Sequence, residues 1–357
     1  MAAIGNVNGS HGAADLPAVS VDSYNLELRD ADGFVGDRAS HRSFNAIIED
    51  WRERLRRVDE DPLGNAPTDQ IKKKKLEELL RKGDPESAGL IHTAIEEFAR
   101  ELALVIRRFL RTEAWQGTER IVIGGGLRNG RIGELAIGRA AVLLKSEGLA
   151  IDLVPIRHHP DEAGLLGAAQ LMPRWTLKGH DALIGVDIGG SNIRAGLVVL
   201  NQKKAADLSK AQVQHSSLWR HANDKAGRGE VVSELVKMTK ALVSQAGAEK
   251  LKLAPFIGVG CPGIIRADGS IERGGQKLPG GNWEGDFNLV EELTRAIGRI
   301  GDDDTMVVMH NDAVVQGLSE VPFMKDVSRW GVATIGTGLG NARFTNRPSP
   351  SQDGDRS

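Results

Sequence analysis

The chain has 357 residues, 40% of them apolar and 26% charged, with a formal charge of −2. That length holds two or three ordinary domains, and that composition builds a packed core, which excludes a disordered chain. The charge balance excludes an electrostatic drive toward nucleic acid or an anionic membrane, and the single cysteine, Cys261, excludes an intrachain disulfide or a cysteine-built zinc site.

No apolar run is long enough to span a bilayer, and the first residues lack the basic and apolar regions of a signal peptide. The cytoplasm is the expected compartment. Residues 1–22 are rich in Gly, Ala, Ser and Asn, and their start is expected to be mobile. From Phe44 the pattern turns helical: Phe44, Ile47, Ile48, Trp51, Leu55 and Val58 recur on one face, with Ser40 or Ser43 placed to cap it. Residues 62–69 read as a loop. The lysines at 72–75 lead into Leu76, Leu79 and Leu80, and fit the wet face of a helix start better than a phosphate contact. Asp84-Pro85 is a strong helix start, followed by Ile91, Ala94, Ile95, Phe98, Leu102, Val105, Ile106 and Phe109 on one face. A buried-strand pattern from Arg120 runs into Gly124, Gly125 and Gly126. A helix over 132–146, a strand over 151–156 and a small-residue helix over 161–169 complete an α/β arrangement.

Residues 173–181 contain Pro, Trp, Gly and His without periodicity, and read as a linker. The stretch that follows organises the rest of the chain. An apolar run ends in Asp187, then come Gly189, Gly190, Ser191 and Asn192, and the chain is apolar again after Arg194. Two such runs joined by a glycine-rich turn read as a hairpin, and its glycines, lacking Cβ, can take positive φ and let a ligand approach closely. Gathered backbone N–H groups make an anion site, and a carboxylate at a strand end suits Mg²⁺. Alone, the stretch fits an ordinary tight hairpin equally well. Beyond it, a helix is expected over 230–243 and a strand over 256–259 entering residues 260–263. A glycine-rich loop over 273–285 precedes a helix starting near Leu289. A strand over 305–309 delivers His310, Asn311 and Asp312, a helix covers 313–318, and a strand over 329–335 enters Gly336, Thr337, Gly338 and Gly340. Residues 346–357, rich in Pro, Ser and Asp, read as a disordered tail.

Four glycine-rich turns, each after an apolar strand, need one explanation. None is a Walker A loop, since no Gly-Lys-Ser/Thr occurs, and none completes the dinucleotide fingerprint: Asn129 and Asn341 stand where a third glycine belongs.

Together these motifs resemble the sugar-kinase branch of the actin-like ATPases, specifically the ROK family. Residues 187–196 resemble its first phosphate motif, with Ser191 in place of Thr. Residues 258–265 resemble the strand and turn before its sugar loop. His310-Asn-Asp-Ala313 resembles the Glu-Asn-Asp-Ala that carries the catalytic Asp. Residues 336–340 resemble the second phosphate motif, and residues 124–126 the adenosine motif. The resemblance implies a two-lobed α/β fold with ribonuclease H-like halves and an ATP- and Mg²⁺-dependent transfer to a hexose or amino sugar. The adenosine-type half comes first, so the order looks circularly permuted. The expected division is 1–172, a linker at 173–181, 182–345 and a tail.

The resemblance implies Asp312 as general base, with Asn311, Gly281, Asn282 and Asp37 at the sugar. Asp187 would hold Mg²⁺. Gly189, Gly190, Ser191, Asn192 and Arg194, with Gly336, Thr337, Gly338 and Gly340, would serve the phosphates, and Gly124, Gly125 and Gly126 the adenosine. On the residues alone, Asn311-Asp312 is more often a helix-capping pair and Arg194 a partner of a nearby carboxylate. His158, His159 and His310 are assigned no metal. Related proteins are often homodimers, and neither a nucleic-acid nor a membrane partner is expected. The family's Glu-x-x-His sugar motif and cysteine-rich zinc cluster have no counterpart here, which leaves a sugar or nucleotide sensor on the same fold as the alternative.

Overall fold

The computed structural model describes residues 11–224 and 226–348. The start at 1–10 and the tail beyond 348 lie outside the described residues. In chain order the strands and α-helices longer than three residues are β1 (Val19–Tyr24), α1 (His41–Leu55), α2 (Lys73–Lys82), α3 (Pro85–Leu110), β2 (Arg120–Gly124), α4 (Arg131–Ser146), β3 (Asp152–Pro155), α5 (Pro160–Gly167), β4 (Ala182–Ile188), β5 (Ile193–Val199), β6 (Gln212–Trp219), α6 (Arg228–Ala248), β7 (Leu253–Cys261), α7 (Leu289–Ile297), β8 (Met306–Asn311), α8 (Asp312–Leu318), β9 (Arg329–Ile335) and β10 (Leu339–Asn346). The chain divides into two compact units. Unit 1 takes the residues up to Asn25, Asp161–Arg329, and those from Ala342 on; unit 2 takes Leu26–Pro160 and Trp330–Asn341.

Unit 1 is built on a sheet of order β8-β7-β4-β5-β6, in which β4, β7 and β8 run parallel and β4, β5 and β6 form an antiparallel meander. The central strands β4 and β7 are apolar apart from Asp187, as strands covered on both faces must largely be. One face packs against α6 through Val231, Leu235 and Leu242, which join Ile184, Val186, Leu197 and Ile257 in a single core. The other is covered by α5 and the turn after it, and here the small residues matter. A Cβ on Gly185 would sit 2.6 Å from Leu165 O, one on Gly258 2.7 Å from Ala168 Cβ, and one on Gly167 only 1.7 Å from Val315 O. Helix and strands therefore touch at backbone distance. This packing draws residues 161–181 into unit 1, so the expected linker at 173–181 lies inside a unit and the chain changes unit after Pro160.

The start of the stretch expected to be mobile lies outside the described residues; from residue 11 on it belongs to unit 1 and is held by hydrogen bonds. Gly12 N–H donates to Met309 O, Met309 N–H donates to His11 Nδ1, and β1 pairs antiparallel with β10. The proposed tail is likewise ordered up to its described limit: Asn346 ends β10 and Arg347 N–H donates to Ala18 O.

In unit 2, β9 lies parallel to β2 and β2 to β3. The core is the stripe of α3, with Ile91, Phe98, Leu102, Ile106 and Phe109 packed with Ile121, Ile123 and Ile137. Each such side chain contributes about 1.5–3 kcal/mol on full burial. Asp84 caps α3 by accepting from Glu86 N–H and Ser87 N–H, and Ser40 caps α1 by accepting from Ser43 N–H. The α1 stripe is shorter than the pattern suggests. The helix ends at Leu55, so Val58 leaves its face and stands 83% exposed. The fully buried Arg52 takes a place on that face instead, donating to Asp61 and to the carbonyls of Gly64 and Ala66, which shapes the loop over 61–68.

Candidate functional site

In unit 1 the C-terminal ends of three adjacent parallel strands converge. Asp187 is opposite Gly260 across β4 and β7, and Cys261 is opposite Asn311 across β7 and β8. Gly260 is the hub: a Cβ there would lie 3.5 Å from Asp187 Oδ1 and 3.5 Å from Asp312 Cα. The Cys261 thiol, buried beside them, is pushed up first by burial and then by the charges of Asp312 and Asp187. Asp187 and Asp312 thus lie on either side of one glycine at the C-terminal ends of these strands.

Asp187 is 3% exposed, and its Oδ1 is buried without a hydrogen-bond partner. Burial pushes its carboxyl up to about 6, against Arg194, which pulls it down from 3.6 Å at Oδ2. Arg194 also pairs with Asp161. A Cβ on Gly164 of α5 would come within 2.9 Å of the orphaned oxygen, so glycine keeps that space open. An unpartnered buried carboxylate oxygen close to the start of α8 fits a hard cation that keeps waters and takes one or two protein carboxylates. No group of three or more His, Cys, Asp or Glu could hold a metal among the described residues, which excludes a cage but not that looser arrangement.

Asn311 is the N-cap of α8. Its Oδ1 accepts from Ala313 N–H and Val314 N–H, and its Nδ2 donates to Gly263 O. One amide N–H is left, so most of this side chain serves to place Asp312 at the first position of α8. His310 donates from Nε2 to Ala13 O, and its Nδ1 accepts from Asn311 N–H. Burial pushes it down to about 4, and it is a neutral structural imidazole.

The turn after β4 closes with Gly189 N–H donating to Asn192 O. Neither Gly189 nor Gly190 takes the positive φ that glycine permits. The buried His221 holds the turn: its Nε2 donates to Gly189 O at 2.9 Å, while Ala222 N–H donates to Ser191 O. Sequence reasoning missed His221, which lies thirty-two residues beyond the turn with no spacing to reveal it. An open cleft of about 300 Å³ is lined by Gly190, His221, Gly227, Pro279 and Gly280 among others. Gly281 and Asn282 follow at the same loop, both exposed and at positive φ, and Asn282 O accepts from Arg228.

Unit 2 holds the other group. Thr334 is opposite Gly124, so the turns after β9 and β2 leave neighbouring parallel strands. Gly125 takes φ +83°, and a Cβ there would lie 2.2 Å from Ile335 O. Gly336 N–H donates to Gly338 O, closing the β9–β10 turn. The start of α1 meets that turn: His41 N–H donates to Gly336 O, and Arg42 Nε to Thr337 O. Gly340 lies just inside β10. Asp37 is exposed in the short helical turn Val35–Ala39, whose Gly36 packs close to Leu339. It belongs to unit 2, whereas Asn311 and Asp312 belong to unit 1.

No protein-family model matches this chain, and no curated protein does. Among solved structures it is similar to a protein of Cytophaga hutchinsonii provisionally named a sugar kinase, at 20% identity over 49% of this chain and 54% of that one, TM-score 0.35. A provisionally named N-acetylmannosamine kinase from Listeria monocytogenes matches at 21% over 46% and 47%, TM-score 0.34. A ROK hexokinase from Thermus thermophilus matches at 23% over 37% and 35%, TM-score 0.26. The chain spans about half the length of the first two and about a third of the last.

Proposed function

We propose that this chain is an ATP-dependent sugar kinase of the actin-like ATPase fold with its halves in circularly permuted order. The observation that carries the reading is the pair Asp187 and Asp312 flanking Gly260, with Asp187 Oδ1 buried and unpartnered. Strand order supports the fold. Taken in chain order as first to fifth, β4, β5, β6, β7 and β8 lie 3-2-1-4-5 with the second antiparallel, the ribonuclease H-like order. Permutation is supported by β10, late in the chain, finding its antiparallel neighbour in β1, at the start.

Phosphoryl transfer needs positioning and charge neutralisation more than covalent chemistry. Asp312 accepts the proton of the attacking sugar hydroxyl. Asn311, Gly281, Asn282 and Asp37 are assigned to the sugar. Gly189, Gly190, Ser191 and Asn192, with Gly336, Thr337, Gly338 and Gly340, are assigned to the phosphates, and Gly124, Gly125 and Gly126 to the adenosine. Mg²⁺, when bound through Asp187, supplies charge neutralisation at the phosphates, and Arg194 orients that carboxylate. The reading includes a cytoplasmic homodimer without nucleic-acid or membrane partners; no helix among the described residues is long and apolar enough to cross a membrane.

A sensor without turnover is the second reading, favoured by the lack of a Glu-x-x-His ahead of β1. ATP consumption with Mg²⁺ across hexoses and N-acyl amino sugars separates the two. Sugar-dependent turnover that falls about 10²–10⁴-fold in Asp312→Asn is expected for the kinase; binding without turnover in the unmodified chain would leave the sensor.

A further inference from the structure

Of the four lysines at 72–75, one is not on a wet face. Lys73 Nζ donates to Gly126 O at 2.9 Å, to Leu127 O at 2.7 Å and to Asn129 O. An ammonium has three donors, and all three are met by carbonyls of the turn that follows β2. Four residues on, and so on the same face of α2, the Glu77 carboxylate accepts from Arg131 N–H at 3.0 Å and Ile132 N–H at 3.1 Å. Those are free first-turn donors of α4, whose N-cap, Gly130, has no side chain to serve them. Gly130 takes φ +114°, and a Cβ there would lie 2.4 Å from Glu77 Oε1. The glycine is what lets the carboxylate reach. One turn of α2 therefore binds the carbonyls of residues 126–129 and the N–H groups of 131–132 with opposite charges.

We propose that Lys73 and Glu77 are positioning residues for nucleotide binding: α2 clamps the segment 126–132 and thereby sets the shape of the adenosine-type turn at 124–126. This rests on the kinase reading of that turn. The alternative, that the clamp only stabilises unit 2, predicts no selective effect on nucleotide. Charged and titratable groups facing Lys73 are Glu77 on its own helix, Arg128 on the turn and His41 on α1. Burial holds Lys73 down to about 8, so it remains an ammonium at neutral pH.

The test uses the full chain. Lys73→Met should speed amide exchange over residues 126–132 and weaken Mg-ATP affinity in calorimetry, each by about tenfold or more, with the sugar KM unchanged. Lys73→Arg, which still donates to carbonyls, should restore most of both; Glu77→Gln, which keeps one acceptor oxygen, should fall between. These milder variants keep the test open if Lys73→Met does not fold. Unchanged exchange, or faster exchange with unchanged ATP affinity, overturns the inference. An unmodified chain that binds no ATP defeats the kinase reading itself, and is told apart because it needs no variant.

Discussion

Unit 1 and unit 2 each set a charge against a glycine turn, Asp187 buried in the first and Lys73 half-buried in the second, and they treat it in opposite ways. Lys73 in unit 2 has carbonyl acceptors for all three donors. Asp187 in unit 1 has a distant guanidinium at one oxygen and nothing at the other. Burial moves both toward neutrality, Lys73 down to about 8 and Asp187 up to about 6, yet both stay charged at pH 7. A desolvated charge whose bonds are complete is scaffold, whereas a buried one left incomplete costs stability until something arrives to complete it. The contrast separates the residue that shapes a site from the residue that awaits a ligand.

That contrast is breakable, most forcefully at Asp187. Its shift from 3.8 to about 6 corresponds to about 3 kcal/mol lost to the fold at neutral pH. Asp187→Asn should therefore raise the metal-free unfolding free energy at pH 7 by up to that amount, and abolish the stabilisation that Mg²⁺ gives the unmodified chain. Loss of stability on this substitution would remove the case for an incomplete charge. The native state holds the Asp187 proton more tightly than the unfolded chain. Its contribution favours folding below pH 3.8 and is lost as pH rises through about 6. The gap between Asp187→Asn and the unmodified chain should accordingly close on acidification, in denaturant titrations run from pH 7 to pH 4.

Smaller effects sharpen the picture. Gly164→Ala places a methyl 2.7 Å from Asp187 Cγ; a cost of about 1–3 kcal/mol is expected, with a weakened Mg²⁺ effect. Gly260→Ala meets only contacts of 3.3–3.5 Å, and should cost less than about 1 kcal/mol while still crowding turnover. Removing the His221 hydrogen bond to Gly189 O with His221→Ala should cost about 1 kcal/mol and raise the KM for ATP more than it lowers kcat.

Local signals carried much of this architecture into the sequence. Asp84-Pro85 marked the start of α3, the apolar period marked its buried face, and β9 begins and ends where its pattern does. Asp187, Asn311 and Asp312 stood out because strand ends followed by polar residues are readable one segment at a time. What escaped is non-local. Nothing near Lys73 distinguishes it from Lys72, Lys74 and Lys75, since its partners lie more than fifty residues away. His221 is likewise defined by a turn on another strand pair. The membership of residues 11–24 in unit 1 depends on pairing with β8 and β10, and small residues at 164 and 167 give no periodicity, although they decide where α5 belongs.

Neither unit is a continuous stretch of chain, and that has a consequence for biosynthesis. β2 of unit 2 leaves the ribosome long before its parallel partner β9, which comes some two hundred residues later. Until then Ile121 and Ile123 have β3 on one side and nothing paired on the other. Such long-range closure slows folding and lengthens the exposure of an unpaired apolar edge. A nascent chain halted after Pro160 carries the α3 core but an open sheet, and is the species on which a chaperone holding apolar strand edges would act.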